Sequence, residues 1–183
     1  MGRRGRWGKM KFLVDRMLGK LAKGLRMLGY DTVYYRGEET YPLISLARQE
    51  GRVILTRNTK LLPKRPEDRI LRVTEDNPYL QLKELIQKRY ITLDKEKPYS
   101  RCLVCNALLN RVPRDEAEGE VPDFIFHQQK EFFRCPECRR IYWPGSHQEH
   151  MQKHVEELFH GKSEARNTKL ETNSNDQNTK SET

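Results

Sequence analysis

The sequence lacks any apolar run long enough to cross a membrane, which argues against a helical membrane protein. No stretch approaches the roughly 18 apolar residues of a transmembrane helix, and the basic amino-terminal region reaches Asp15 and Arg16 without a signal-peptide core. Cysteine is scarce, with four in 183 residues, and nothing signals the oxidising compartment that disulfides need. We therefore predict a cytoplasmic protein with no membrane partner.

Negative charge is nearly absent from the first 26 residues, where Asp15 is the single acidic side chain among nine Lys or Arg. The whole chain carries a formal net charge of +9. A concentrated positive region in a chain without a membrane signature favours a polyanionic partner, most often a nucleic acid. A solvated surface that only keeps the protein soluble is the alternative, and charge alone leaves both interpretations open.

Strand and helix patterns alternate through residues 10–97. Apolar, β-branched segments predict strands at 11–15, 31–35, 52–56 and 69–74, and helical periodicity predicts helices at 16–28, 41–50 and 77–88. Thr40 is the predicted cap of the second helix, and Asn77 that of the third. Strands that alternate with helices predict a three-layer α/β domain with a mainly parallel sheet.

The composition changes near Pro98, where we predict a domain boundary. Residues 98–145 contain all four cysteines and an acidic loop, and residues 146–160 begin with a capping box that predicts a final helix. Residues 161–183 are almost entirely polar and should be a disordered tail. Residues 1–9 should form a flexible basic arm before the first strand.

Two cysteine pairs form the most specific pattern in the chain. Cys102 and Cys105 are two residues apart, as are Cys135 and Cys138, and 29 residues separate the pairs. Two such pairs can close a tetrahedral thiolate shell around one Zn²⁺, which predicts a structural zinc ribbon rather than disulfides. Four thiolates leave no position for a reactive water, so this zinc should have no catalytic role. Chelation should therefore unfold the ribbon and leave the first domain folded.

Several carboxylates follow the predicted strands and could gather at one edge of the sheet. They are Asp15 after the first strand, Glu38 and Glu39 after the second, and Glu75 and Asp76 after the fourth. Hydrolysis of a phosphodiester with Mg²⁺ or Mn²⁺ needs convergent carboxylates, because these hard cations prefer oxygen ligands. Each residue taken singly could equally be a turn or cap residue.

Five segments together resemble a known family. They are Met-Lys-Phe-Leu-Val-Asp at 10–15, the stretch 18–31 with Leu-Gly-Lys-Leu-Ala-Lys-Gly-Leu-Arg, Ile-Leu-Thr-Arg-Asn at 54–58, Ser-Arg-Cys-Leu-Val-Cys-Asn at 100–106, and Tyr-Trp-Pro-Gly-Ser-His at 142–147. In order and spacing they resemble the Mut-seven C-terminal RNase domain family, over about residues 10–160. The resemblance implies a PIN-like nuclease domain joined to a zinc ribbon, and a metal-dependent ribonuclease with Asp15 as its first metal-binding aspartate.

The chain departs from this family at two positions. The family usually has an aspartate where this chain has Asn58, whose amide offers an oxygen but no charge. Thr40 stands at about the position of the family's acid before the second helix, with Glu39 adjacent to it. Fewer negative charges weaken the binding of a divalent cation, so these departures bear directly on catalysis.

The leading hypothesis is a Mg²⁺- or Mn²⁺-dependent ribonuclease. Asp15, Glu39 and Asp76 would hold the cation, with Asn58 as a weak ligand or as a residue that positions water. A second group of residues would guide the RNA backbone: Arg16, Lys20, Lys23, Arg26, Arg57 and Lys60. The alternative is a catalytically impaired RNA-binding protein that retains the basic face and the ribbon. A protein-interaction module is a third hypothesis.

Overall fold

A computed structural model describes residues 10–61, 63–66, 68–92 and 99–144 of the chain. The predicted arm at 1–9, the final helix at 146–160 and the tail at 161–183 lie outside the described residues. The predicted division into domains stays a prediction, because residues 93–98 around the proposed boundary also lie outside them.

The first part of the chain forms a parallel sheet with helices, as the sequence predicts. Its elements in order are β1 (Phe12–Val14), a 3₁₀ turn (Arg16–Leu18), α1 (Gly19–Met27), β2 (Thr32–Tyr34), α2 (Thr40–Glu50), β3 (Val53–Thr56), β4 (Ile70–Arg72) and α3 (Pro78–Gln87). The strand order is β2-β1-β3-β4, and every neighbouring pair is parallel. All four strands therefore end at the same edge of the sheet, which we call the carboxyl edge.

Side chains that alternate along β1 divide the core between the two faces of the sheet. Phe12 and Val14 pack with residues of α1 and α3, among them Leu25 and Leu85. Leu13 points the other way and packs against α2. This alternation is the two-residue period of a strand, and burial on both faces confirms the three-layer α/β fold class.

The second part of the chain is a small antiparallel unit. It contains β5 (Asn110–Val112), a 3₁₀ turn (Arg114–Ala117), α4 (Asp123–Gln128), β6 (Phe132–Arg134) and β7 (Ile141–Tyr142). The sheet order is β5-β6-β7. Its buried apolar cluster consists of Ala117, Val121 and Phe132. A core of this size contributes little stability, and small units of this kind are usually stabilised by a bound metal ion or another cross-link.

Two predicted helix starts differ from the structure. The first helix begins as a 3₁₀ turn, because the Asp15 carboxylate accepts a hydrogen bond from the Met17 amide and tightens the chain there. Thr40 is the first residue of α2 rather than its cap, so that expectation is wrong. Glu39 occupies the cap position with extended backbone and makes no side-chain capping bond. The Asn77 cap of α3 is confirmed by its bond to the Tyr79 amide.

The first cysteine pair packs directly on the α/β domain. Asn106 accepts a hydrogen bond from the Thr32 amide of the edge strand β2 at 2.9 Å and donates to the Asp31 carboxylate at 2.8 Å. The Arg26 guanidinium donates to the carbonyls of Leu103 and Val104 at 2.9 and 2.8 Å. These bonds satisfy polar groups of β2 and of the cysteine turn at the same time, so the two units share an interface.

Replacing Glu84 should destabilise the α/β domain. Its buried carboxylate accepts from the Thr74 amide at 2.9 Å, the Thr74 hydroxyl at 3.0 Å and the Glu75 amide at 3.2 Å, which fixes the chain after β4. We expect Glu84→Ala to lower the free energy of unfolding by about 2 kcal/mol, measured by urea denaturation, since bonds to a charged group are lost. Gln87→Ala, an exposed change on α3, is the control. Equal stability of the two variants would contradict this role.

Asp31 should make the interface sensitive to acid. Burial raises the pKa of Asp31, but hydrogen bonds from Arg52 and Asn106 outweigh it and hold the pKa below its usual value. A depressed folded-state pKa stabilises the fold above the unfolded value of about 3.9, and this contribution is lost as the pH falls through the folded value.

We therefore expect Asp31→Asn to lower stability at pH 7 by about 2 kcal/mol and to weaken the acid dependence below pH of about 4. Thermal melting of both proteins between neutral and acidic pH measures both effects. Parallel pH profiles for the variant and the wild type would show that Asp31 does not couple the interface to pH.

Candidate nucleic-acid site at the carboxyl edge

Asp15 lies at the carboxyl edge directly after β1 and is buried, with 7% of the residue exposed. Its amide donates to the Leu55 carbonyl at 3.1 Å, which continues the pairing of β1 with β3. One carboxylate oxygen accepts from the Met17 amide at 2.9 Å, and the other accepts from the Thr56 hydroxyl. The side chain is thereby held in one orientation by two hydrogen-bond donors.

Asn58 does not reach towards Asp15 with its own side chain. The backbone amide of Asn58 donates to the Thr56 hydroxyl at 2.9 Å, and the side-chain oxygen of Asn58 accepts from the Lys60 backbone amide at 2.9 Å. The second bond closes an Asx turn, which is the local use of an asparagine that competes with ligand binding. Thr56 therefore links Asp15 to the loop that follows β3. The side-chain oxygen of Asn58 is hydrogen-bonded within that loop.

The other predicted acids have different surroundings. Asp76 forms an ion pair with Arg57, and Glu38 forms one with Arg16. Glu39 is exposed at the start of α2. Two of these carboxylates therefore form ion pairs with neighbouring guanidinium groups in positions exposed to solvent.

No three of the described carboxylates lie close enough together to share one metal ion. Within the described part of the chain, the only group of three or more His, Cys, Asp or Glu side chains with all ligand atoms inside 4.8 Å of one another is the cysteine cluster. Ligands of one Mg²⁺ lie at about 2.1 Å from the ion and so within about 4.2 Å of each other. Asp15, Glu39 and Asp76 therefore do not make a three-carboxylate shell in this arrangement.

A cleft of about 590 Å³ opens beside Asp15, between α1 and the first cysteine pair. Met17 and Leu18, the second and third residues after Asp15, form part of its wall, whereas Asp15 itself is not in the lining. Its lining includes five positively charged side chains and one carboxylate: Lys20, Lys23, Arg26, Arg36, Arg57 and Asp76. We call this feature the basic cleft. Such an excess of positive charge in a concave surface concentrates anions, and phosphate groups above all.

The basic cleft brings together four of the six residues predicted to contact RNA. Lys20, Lys23, Arg26 and Arg57 line it, whereas Arg16 and Lys60 are exposed outside its lining. Arg26 does not lie on the exposed face of α1 as its spacing suggested, since only 6% of it is exposed. Its guanidinium is held by three backbone carbonyls, those of Thr32, Leu103 and Val104.

The four cysteine sulfurs converge as a metal site requires. The Sγ atoms of Cys102 and Cys138 are 3.6 Å apart, and those of Cys105 and Cys135 are 3.2 Å apart. A tetrahedral zinc ion with bonds of about 2.3 Å needs sulfurs about 3.8 Å apart, which is close to this arrangement. The cluster can therefore hold a metal such as zinc.

The backbone of each cysteine turn is adapted to this cluster. Asn106 and Arg139, which follow the second cysteine of each pair, both have positive φ angles, of 72° and 63°. Their amides donate to the Cys102 and Cys135 carbonyls at 3.0 Å. Asparagine tolerates this conformation better than arginine does, so the turn at Arg139 is the more strained of the two.

The hydrogen bonds of the cluster favour a thiolate at Cys102. Burial raises its pKa, but bonds from the Tyr142 hydroxyl and the Cys105 amide outweigh burial and lower the pKa to about 6. Burial and the Cys135 sulfur raise the pKa of Cys105. Thiolates are the metal-binding form of cysteine, so a bound cation would stabilise further the thiolate that these hydrogen bonds favour.

Three residues of the site were not singled out in the sequence. Thr56 bonds to Asp15, and Tyr34 and Arg36 line the basic cleft. The Tyr34 hydroxyl also donates to the Arg16 carbonyl at 2.9 Å and fixes the turn after β1. Arg36 follows β2 by two residues, so its place at the carboxyl edge was a signal available in the sequence. Thr56 carried no comparable signal.

The comparisons with known proteins agree with the fold and with the order of these motifs. Residues 10–155 match the model of the Mut7-C RNAse domain family. No curated protein and no solved structure matches the chain. No helix in the described part of the chain has both the length and the apolar character needed to span a membrane.

Proposed function

The chain belongs to the Mut7-C RNAse domain family, and on that premise we propose that it is a ribonuclease that cleaves RNA phosphodiesters at the carboxyl edge of its sheet. Membership confirms the resemblance seen in the sequence and indicates a nuclease- or RNA-related function. The cysteine cluster, in this proposal, holds a structural zinc ion.

The basic cleft beside Asp15 is the observation that carries the proposal. Lys20, Lys23, Arg36 and Arg57 present positive charge in one concave surface, which suits the backbone of a nucleic acid. Asp15 adjoins this surface through its bond to Met17. A buried carboxylate beside a phosphate-binding surface is the arrangement that metal-assisted hydrolysis uses.

The residues present fit a divalent cation only in part. Mg²⁺ is commonly bound through one or two carboxylates together with water and substrate phosphates, and Asp15 supplies one such carboxylate. When bound, the cation would activate water and stabilise the leaving oxygen. Thr56 and the Met17 amide hold the Asp15 carboxylate in one orientation, and the cations of the cleft would hold the RNA. Glu39, next to the position at which the family usually has an acid, is the further carboxylate that we propose for this edge.

RNA binding without cleavage is a second candidate, and two contacts favour it. The Asn58 oxygen is used by the Lys60 amide, and Arg57 neutralises Asp76. Each contact competes with a catalytic cation for an oxygen atom. The basic cleft serves RNA equally well in this case.

Incubation of the purified protein with end-labelled RNA separates the two candidates. With Mn²⁺ added, we expect fragments whose formation stops when the divalent ion is omitted, and binding that weakens steeply with added salt. Salt-dependent binding with intact RNA would support the second candidate. No binding at any salt concentration would refute both and support a protein-interaction module.

A further inference from the structure

We propose that the first cysteine turn, residues 102–105, is a wall of the RNA-binding cleft, and that the cleft takes a single strand of RNA, one or two nucleotides at a time. This inference rests on the proposed function, since it specifies the substrate of the same cleft. It gives the metal-binding ribbon a part in recognition, beyond the stapling role expected from its four cysteines.

The turn lies at the cleft because α1 holds it there. Leu103 and Val104, the two residues between Cys102 and Cys105, both line the basic cleft. Their carbonyls accept the two bonds from Arg26, so their backbone faces the α/β domain. The Val104 residue stays 46% exposed, which leaves an apolar side chain open at the wall of a charged cleft.

The two kinds of surface in the cleft match the two parts of a nucleotide. The phosphate carries the negative charge and suits Lys20, Lys23 and Arg36, whereas the base has an uncharged face that packs on apolar side chains. Met17, which is 61% exposed, and Val104 supply such surface in the same cleft. An inorganic anion would use the cations alone and gain nothing from either apolar residue.

The size of the cleft suits one or two nucleotides of a single strand. Its volume of about 590 Å³ falls within the range of roughly 300–1,000 Å³ that accommodates a ligand of drug size. One or two nucleotides are of that size. The bases of a duplex are stacked inside the helix and cannot reach the apolar wall, whereas the bases of a single strand can turn out of the stack.

Arg26 is then a positioning residue rather than a contact to RNA. It is 6% exposed and joins α1 to the cysteine turn. Release of the metal would loosen the first cysteine turn, to which Arg26 is hydrogen-bonded, and would open one side of the cleft. Binding of single-stranded RNA should therefore depend on metal in the ribbon even when no cleavage occurs.

A matched pair of substitutions tests the inference in the full-length protein. Val104→Glu places a negative charge at the wall of the cleft, and Leu108→Glu places the same charge on another exposed apolar residue of the ribbon, 58% exposed and outside the cleft lining. Fluorescence anisotropy with an eight-nucleotide RNA, without added Mg²⁺ or Mn²⁺, gives the affinities. Zinc analysis and thermal melting check that both variants keep their fold.

We expect Val104→Glu to weaken binding by about tenfold or more, since it opposes a phosphate backbone and removes an apolar contact. Leu108→Glu should stay within about twofold of the wild type, as surface changes away from a site usually do. The same RNA annealed into a duplex should compete at least about tenfold less well.

If the two variants bind RNA with equal affinity and retain zinc, the claim that the first cysteine turn contacts RNA is refuted. If the duplex competes as well as the single strand, the preference for single strands is refuted. Either result would leave cleavage by the wild-type protein untouched and so would spare the proposed function. Absence of any RNA binding by the wild type would instead refute the proposed function and this inference together.

Discussion

Removal of zinc should release about one ion per chain and unfold the ribbon, with a loss of stability that no single core substitution in this unit would match. In the described part of the ribbon, the buried apolar cluster consists of Ala117, Val121 and Phe132 with five partly buried side chains packed against it, which is a small core for a folded unit. Structural zinc sites in small peptides contribute about 10 kcal/mol or more of binding free energy, which is folding free energy when the metal-free form is unfolded. Chelation followed by circular dichroism and metal analysis measures the effect.

The interface changes what chelation should do to the α/β domain. The sequence predicts that this domain stays folded after chelation, but Arg26, Thr32 and Asp31 all bond to the segment 103–106. We expect its melting temperature to fall by several degrees when these partners are lost, since about 1 kcal/mol corresponds to roughly 4–8 °C in a domain of this size. Added Zn²⁺, but not Mg²⁺, should restore it. A chelated protein with an unchanged spectrum and no zinc to release would contradict the structural role.

Asp15→Asn should abolish most cleavage while it leaves RNA binding nearly unchanged. The amide keeps the shape of the side chain and can still accept from the Met17 amide, so the turn after β1 should survive. It removes the charge that would hold the cation, and loss of one catalytic group typically lowers the rate by about 10²–10⁴-fold. The measurement is the rate of RNA cleavage in Mn²⁺, beside the affinity for the same RNA.

Two further variants make this result specific. Asp123→Asn changes an exposed carboxylate of the ribbon and should cleave at the wild-type rate. Asn58→Asp introduces the acid that the family usually has at this position and should raise cleavage by about tenfold, because a carboxylate can accept from the Lys60 amide with one oxygen and offer its second oxygen and its charge to the cation. Equal cleavage by Asp15→Asn and the wild type would identify a contaminating nuclease and remove the assignment of Asp15.

The sequence predicts those parts of the site that depend on local pattern. The apolar segment before Asp15 can only be a buried strand in an alternating fold, so the acid had to fall at the carboxyl edge. The spacing of Cys102 and Cys105 likewise specifies a metal-binding turn whatever surrounds it. These features need no knowledge of distant partners.

The remaining features depend on contacts between residues far apart in the chain. Arg26 has helical spacing typical of an exposed cation, yet carbonyls at 103 and 104 draw it into the interface. Asn58 closes a turn on Lys60 instead of reaching Asp15. Asn106 accepts a hydrogen bond from the Thr32 amide on the edge strand β2, 74 residues away in the sequence. Each outcome is a competition between polar partners that periodicity and spacing do not encode.

Photochemical cross-linking of single-stranded RNA to the full-length protein, with mass spectrometry of the adducts, tests the central claim most directly. The account places RNA against the basic cleft, between α1 and the first cysteine turn. It predicts cross-links in residues 17–36, at 57 and at 103–104, and their loss when unlabelled single strands compete. Cross-links confined to β5, β6 and β7 of the ribbon, with none along α1, would contradict it.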